Sequence, residues 1–295
     1  MRARVSGVLL LDKPEGLSSN AALQRVRRLL GADKAGHVGS LDPLATGMLP
    51  ICLGEATKVA GDMLGGRKRY AFVVQLGART DTGDRAGRVV ATAPVPALDR
   101  SRIEAVLRGF CGMQSQVPPM YSALKRDGQP LYRLARAGVE VERAPRAIRI
   151  DELTLQGIEG DTLALETLCS KGTYVRTLAE DIADALGTRG HVIRLRRLYV
   201  EPFASEEMQT LEAVEALCAE GRMPRLIGAD AALPALPSVA LQAAAAARLV
   251  CGQAVAAPQA NVAGRVRLYD DQGRFLGLGE ADGRGAIRPK RLFVL

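Results

Sequence analysis

At 295 residues, with 47% hydrophobic and 24% charged side chains, the chain is long enough to bury a sizeable core and too apolar for a disordered or fibrous protein. No apolar run approaches the ~18 residues that a membrane-spanning helix needs; the stretch near residue 245 is broken by Gln242 and Arg248. The net charge of +8 is lopsided: residues 1–150 hold 24 Lys and Arg against 13 Asp and Glu, and residues 151–295 hold 16 against 19, which fits either a polyanionic partner or a solvated basic face.

In chain order, VSGVLLLD (5–12) reads as a buried strand. Its apolar run stops at Asp12 and Lys13, too short for an export signal, so a cytoplasmic location is expected. Ser18 and Ser19 offer an N-cap for a helix with Leu23, Val26 and Leu30 on one face and Gly31 as its stop. A glycine-punctuated loop runs from Gly36 to Gly47. KRYAFVVQLG (68–77) has the β-branched and aromatic content of a strand, and RTDTGDRAGR after it is turn chemistry. SRIEAVLRGF (101–110) is an amphipathic helix. Strands are predicted at 147–156 and 162–169, a helix at 174–186 ending on Gly187, a strand at 191–200 and an acidic helix around 210–220.

This order is α+β rather than regular βαβ, and predicts a mixed, largely antiparallel sheet flanked by helices. Pro234 and Pro237, in a stretch (232–242) that interrupts both neighbours, mark a domain boundary. Residues 1–235 form the larger domain and residues 236–295 a small β-rich one.

Few metal or redox signatures are present. The five cysteines (52, 111, 169, 218 and 251) lie at least 33 residues apart and the only histidines are His37 and His191, so reduced thiols and metal-free chemistry are expected. No phosphate-cradling, dinucleotide, zinc-protease or nucleophile-elbow motif occurs, which predicts that no cofactor is used. The most unusual segment is GHVGSLDPLATG (36–47), where Pro43 biases Asp42 towards an extended conformation. The residues alone leave Asp42 open as turn former or nucleophile.

Six motifs in order decide the matter differently. LDKPEGLSSN (11–20), AGHVGSLDPLATGMLPICLGEATK (35–58), KRY (68–70), YSALK (121–125), SKGTYVRT (170–177) and HVIRLRRL (191–198) together resemble the TruB-type tRNA pseudouridine synthases. The resemblance implies an isomerase that converts uridine 55 in the T-loop of tRNA to pseudouridine, detaching the base at N1 and rejoining it through C5. It implies Asp42 as the nucleophile, acting on sugar or ring, and Arg176 as its ionic partner. Tyr70 is implied to stack on the target base and assist loss of the C5 proton, Tyr174 and Leu195 to line the uracil pocket, and His37 to contact the flipped nucleotide. Lys13 is implied to be scaffold.

A uridine inside a folded loop must be everted before a fixed carboxylate can reach it, at a cost of a few kcal/mol. The family places an insertion here, at about 123–149, that closes on the T-loop, and in this chain it carries Lys125, Arg126, Arg133 and Arg136 beside Tyr132, the mixture of cations and aromatics that suits single-stranded RNA. The last domain resembles the PUA type. The expected partner is the tRNA T-stem-loop, bound by a monomer with no protein partner and no membrane. Two other readings share the basic surface: a tRNA-folding chaperone, and a relative acting on other RNA within a guide-RNA particle.

Overall fold

Strand β1 (Gly7–Lys13), buried along most of its length, shows how the architecture follows from the sequence. Its alternate residues feed different cores: Leu9 and Leu11 join the main hydrophobic cluster, while Val8 and Leu10 join a second one on the opposite face. A strand covered on both faces has no polar side, so it reads as an uninterrupted apolar run. The computed structural model describes residues 5–97, 99–203, 208–258 and 261–293.

Helix α1 (Ser19–Leu29) follows β1, with the Ser18 hydroxyl accepting from the Ala21 amide as N-cap. Strands β2 (Ala35–His37) and β3 (Thr46–Leu53), helix α2 (Ala60–Leu64), strand β4 (Lys68–Leu76), a hairpin of β5 (Ala78–Thr80) and β6 (Val89–Thr92), helix α3 (Arg100–Gly109) and strand β7 (Gly112–Gln116) complete the first half. Next come a short hairpin of β8 (Lys125–Arg126) and β9 (Gln129–Pro130), helix α4 (Leu131–Arg136), strands β10 (Arg146–Glu159) and β11 (Thr162–Cys169), helix α5 (Val175–Ala185) and strand β12 (Gly190–Val200). Strand β13 (Gln209–Thr210) and helix α6 (Leu211–Ala219) close this part. The C-terminal part holds β14 (Ser238–Ala240), α7 (Ala243–Val250), β15 (Val255–Ala256), β16 (Ala263–Tyr269), β17 (Phe275–Asp282) and β18 (Ala286–Leu292).

The large sheet has the order β13-β1-β3-β12-β4-β11-β10-β7, with β2 added beside β3. Among the described residues only β1/β13 and β3/β12 pair in parallel within it, so the sheet is mixed and largely antiparallel. Apolar residues of α1, α3, α5 and α6 cover one face, where Leu23, Ile103, Leu178 and Val214 meet Leu49, Phe72 and Leu165. The opposite face near β1 and β3 is covered partly by the C-terminal β-rich domain: Leu278 and Phe293 share a core with Leu10 and Met48. A third core, around Val239, Leu249, Val266 and Ile287, belongs to the five-stranded sheet β14-β16-β17-β18-β15. No helix among the described residues is long and apolar enough to cross a membrane.

The predicted glycine loop is shorter than its sequence suggests. Residues Ala35–His37 pair with Ile51–Leu53, and Thr46 and Gly47 already belong to β3. The run read as turn chemistry after β4 also contains β5, and its turn leads into β6. Two short, exposed or polar strands carry too little alternation to stand out as a period of two.

Candidate active site

Asp42 sits in the loop between β2 and β3, and that loop is pinned from three sides. The Ser19 hydroxyl donates to the Leu41 carbonyl (2.9 Å) and accepts from the Leu41 amide (2.7 Å), both in buried surroundings. The Gly16 amide donates to the Pro43 carbonyl at 2.8 Å, and the Ala45 amide donates to the carbonyl of Asp42 itself at 3.0 Å. Buried Lys13 reaches the carbonyls of Pro14 and Leu17, with Pro43 at 3.5 Å. Burial lowers the Lys13 ammonium to about 8, with the Asp42 carboxylate pulling the other way.

Arg176 comes from the first turn of α5, where Tyr174 is the N-cap residue. Its side chain is 5% exposed and its Nε lies 2.9 Å from Asp42 Oδ2. The other two nitrogens are also engaged: Nη1 donates to the Thr82 carbonyl (2.5 Å) and Nη2 to the Tyr121 carbonyl (2.6 Å). One planar fork therefore joins the Asp42 loop, the β5–β6 turn and the root of the insertion. Asp84, at 4.0 Å from Arg176 Nε, supplies a second carboxylate. It is held by the Thr82 hydroxyl (2.8 Å) and the Ala86 amide (3.0 Å).

Asp42 is 39% exposed, so its carboxylate stays reachable instead of being sealed in. Desolvation by the cleft walls pushes its carboxyl upward, the Arg176 guanidinium opposes this, and the Asp84 charge adds to the rise. Tyr70 on β4 is half-buried, and burial raises its phenol, with the cationic Arg197 opposing. Tyr174 is held by a reciprocal pair: its amide donates to Gln116 Oε1 (2.8 Å), and Gln116 Nε2 donates to its carbonyl (3.1 Å). Both phenols lie close enough to feel the Asp42 charge.

The remaining predicted residues fall in different surroundings. Leu195 on β12 is buried in the main core opposite Phe72. His37 ends β2 with a buried Nδ1 that finds no hydrogen-bond partner among the described residues, and burial together with the Arg197 charge lowers its imidazole. Lys125, Arg126, Arg133 and Arg136 are exposed on the insertion. Arg126 donates to the Glu142 carbonyl, and Arg136 lies over the Tyr132 ring at 5.8 Å. None of the four shares a described hydrogen bond or ion pair with the Asp42 cluster. The insertion encloses open cavities of about 500 and 350 Å³. Among the described residues no group of three or more His, Cys, Asp and Glu is placed to hold a metal ion.

Sequence reasoning missed Asp84, Gln116 and Arg197. The T-x-T-x-D pattern in RTDTGDRAGR, with hydroxyls that bond Asp84 and its carbonyl, was a usable signal for a built turn.

Chemically, the arrangement presents an anionic oxygen aimed by a guanidinium, with two phenols near enough to respond to its charge. A model of the TruB family pseudouridylate synthase N-terminal domain matches residues 27–175, a tRNA pseudouridylate synthase B C-terminal model matches 176–228, and a pseudouridine synthase II TruB C-terminal model matches 237–293. The chain is 55% identical over 291 residues, covering 99% of it and 94% of the relative, to the tRNA pseudouridine synthase B of Aromatoleum aromaticum strain EbN1. It is 51% identical over 296 residues, covering 99% and 97%, to the protein of that name in Stutzerimonas stutzeri strain A1501. In structure it resembles a chain from the crystal structure of a Cbf5-Nop10-Gar1 complex, with a TM-score of 0.73, 25% identity and coverage of 98% and 85%.

Replacing Ser19 with Ala removes both anchors of Leu41 and leaves its buried amide and carbonyl without that partner, a loss of about 1–3 kcal/mol. Urea denaturation is expected to show this destabilisation, and the Leu41 amide to exchange its hydrogen faster than in the parent protein.

Proposed function

The chain belongs to the TruB family of pseudouridine synthases, and from that membership we propose that it isomerises uridine 55 in the T-loop of tRNA to pseudouridine, with Asp42 as nucleophile on an everted base. The observation that carries this reading is the Arg176–Asp42 ion pair at 2.9 Å, with Tyr70 and Tyr174 near enough to respond to the Asp42 charge. The reaction breaks the N1–C1′ bond, forms C5–C1′ and releases the C5 proton, with the nitrogen regaining one, so atoms balance without a second substrate. What the protein supplies is an anion, a fixed direction and a dry surface.

Arg176 keeps Asp42 charged against the desolvation that a docked base completes. Asp42 attacks either C1′ or C6. Tyr70 stacks on the uracil and helps the C5 proton depart. Tyr174 and Leu195 bound the pocket, and His37 meets the flipped nucleotide. The exposed cations of the insertion, Lys125, Arg126, Arg133 and Arg136, bind the T-loop phosphates, which offsets the cost of eversion. In this reading residues 236–295 form a PUA-like domain following a catalytic domain of residues 1–235, and the protein works as a monomer in the cytoplasm.

Asp42→Asn, which keeps size and removes charge, is expected to lower single-turnover conversion of a T-stem-loop by roughly 10³-fold or more, the scale seen when a nucleophile is removed. Conversion at the parental rate sinks the assignment. RNA that is bound and refolded by both proteins but modified by neither supports the chaperone reading, and a strict requirement for guide RNA supports the guide-particle reading.

The carboxylate is the active form and its titration lies above the ordinary ~3.9, so conversion falls as pH drops through a midpoint higher than that value. Arg176→Gln removes the opposing cation and is expected to move the midpoint further up, measured as single-turnover rate against pH.

Arg133→Ala together with Arg136→Ala is expected to reduce the salt slope of T-stem-loop affinity by about one for each phosphate left without its cation, with little change in the rate of bound substrate. An unchanged slope in binding titrations places the RNA surface elsewhere.

A further inference from the structure

Arg197 is among the largest fully buried side chains of the protein, 1% exposed, and the mechanism above gives it no task. Among the described residues no carboxylate lies within ion-pair distance of it. Its donors go to neutral oxygens: Nε to the Met48 carbonyl at 2.7 Å, Nη2 to the Gly39 carbonyl at 3.0 Å and Nη1 to the Ser40 carbonyl at 3.5 Å. Gly39 and Ser40 lie just before Asp42 in its loop, and Met48 lies on the strand just after it. The guanidinium thus spans the mouth of the loop that carries the carboxylate.

Two glycines are shaped around this residue. At Gly39 (φ +74°) an added Cβ would come to 3.4 Å from Arg197 Nη1. At Gly47 (φ +97°) it would come to 2.2 Å from the Arg197 carbonyl oxygen, closer than any side chain tolerates. Gly47 thus lets β3 close on the Arg197 main chain, while at Gly39 the contact is ordinary and the positive φ is what calls for glycine.

The same side chain reaches the other half of the site. Arg197 on β12 stands directly opposite Tyr70 on β4 in the antiparallel ladder, beside an irregularity between Arg197 and Tyr199. Directly opposite residues of an antiparallel pair share a face, so the guanidinium charge acts on the Tyr70 phenol and opposes the rise that burial causes. The other groups that feel its charge are Lys13, His37 and Lys68. A buried cation with no counter-ion is costly unless its hydrogen bonds are complete. Arginine alone has five fixed donors and cannot shed its proton. Here they hold the backbone on either side of the carboxylate, on the strand position that faces Tyr70.

We propose that Arg197 is a positioning residue of the reaction, fixing the Asp42 loop and the Tyr70 hydroxyl in one rigid frame so that nucleophile and phenol meet the everted base together. The inference rests on the reading of Asp42 and Tyr70 as the groups that meet the base. It does not require Arg197 to touch RNA.

The test uses the full chain with Arg197→Met, which keeps bulk and removes charge and donors, and Arg197→Lys, which keeps charge and loses the fork. Affinity for a T-stem-loop is expected to stay within about threefold of the parent, while the single-turnover rate falls by about 100-fold in the Met variant, as for a misplacement of roughly 1 Å, and less in the Lys variant. In protein carrying ¹³Cζ-tyrosine, the Tyr70 resonance, assigned by its absence from Tyr70→Phe, is expected to shift in both variants. A folded Met variant with the parental rate overturns the proposal, as does a Tyr70 resonance that does not move in either variant. Rate and affinity falling in parallel also overturn it, since that marks a strut of the fold only. Should the Met variant not fold, the Lys variant gives the same readings. Parental protein that makes no pseudouridine defeats the proposed function instead, and the resonance still reports whether Arg197 holds the phenol.

Discussion

A guanidinium with almost no access to water has to satisfy every donor locally, and Arg176 does so by drawing together segments that are far apart in the chain. Asp42, the Thr82 carbonyl and the Tyr121 carbonyl all converge on it. Removing Asp42 would leave that buried guanidinium with Asp84, at 4.0 Å from Nε, as its remaining carboxylate. The surrounding turns are consequently constrained by Arg176 as much as they constrain it. The Asp42 carboxylate stays open to the cleft while its partner is sealed, which leaves the anion both oriented and reachable.

Much of this was legible in the sequence where local chemistry decides. The GVLLL run announced a buried strand, Ser18 capped the first helix, Gly31 stopped it, and the alternation of KRYAFVVQL gave β4. The ordered motifs pointed at Asp42, Arg176, Tyr70 and Tyr174 before any coordinates, and these four lie near one another in the fold. Leu195 was less legible as a pocket residue, because a leucine that packs against Phe72 in the main core gives no separate signal.

What the residues did not reveal depends on partners distant in the chain. Asp84 looked like turn chemistry because its hydroxyl partners are close by, while the guanidinium it faces is on α5. Gln116 mimics a backbone pairing with Tyr174, which no periodicity encodes. Arg197, in an alternating basic and apolar strand, reads as a surface cation by pattern. It is buried where three carbonyls from the Asp42 loop and β3 receive its donors. The hairpin β5–β6 escaped because its outer residues, Val89 and Val90, remain exposed.

The second core also fixes a length. Leu10 and Met48 lie in the large sheet, Leu278 in the C-terminal one and Phe293 just past the end of β18, yet they pack as one cluster, with Lys58 set over the Phe293 ring at 5.5 Å and Arg265 paired to Asp62 at 2.7 Å. Prying the sheets apart would wet that apolar surface at about 25 cal/mol per Å². The shared cluster thus works as a clasp: any change in the spacing of the two sheets would first have to open it and the contacts beside it.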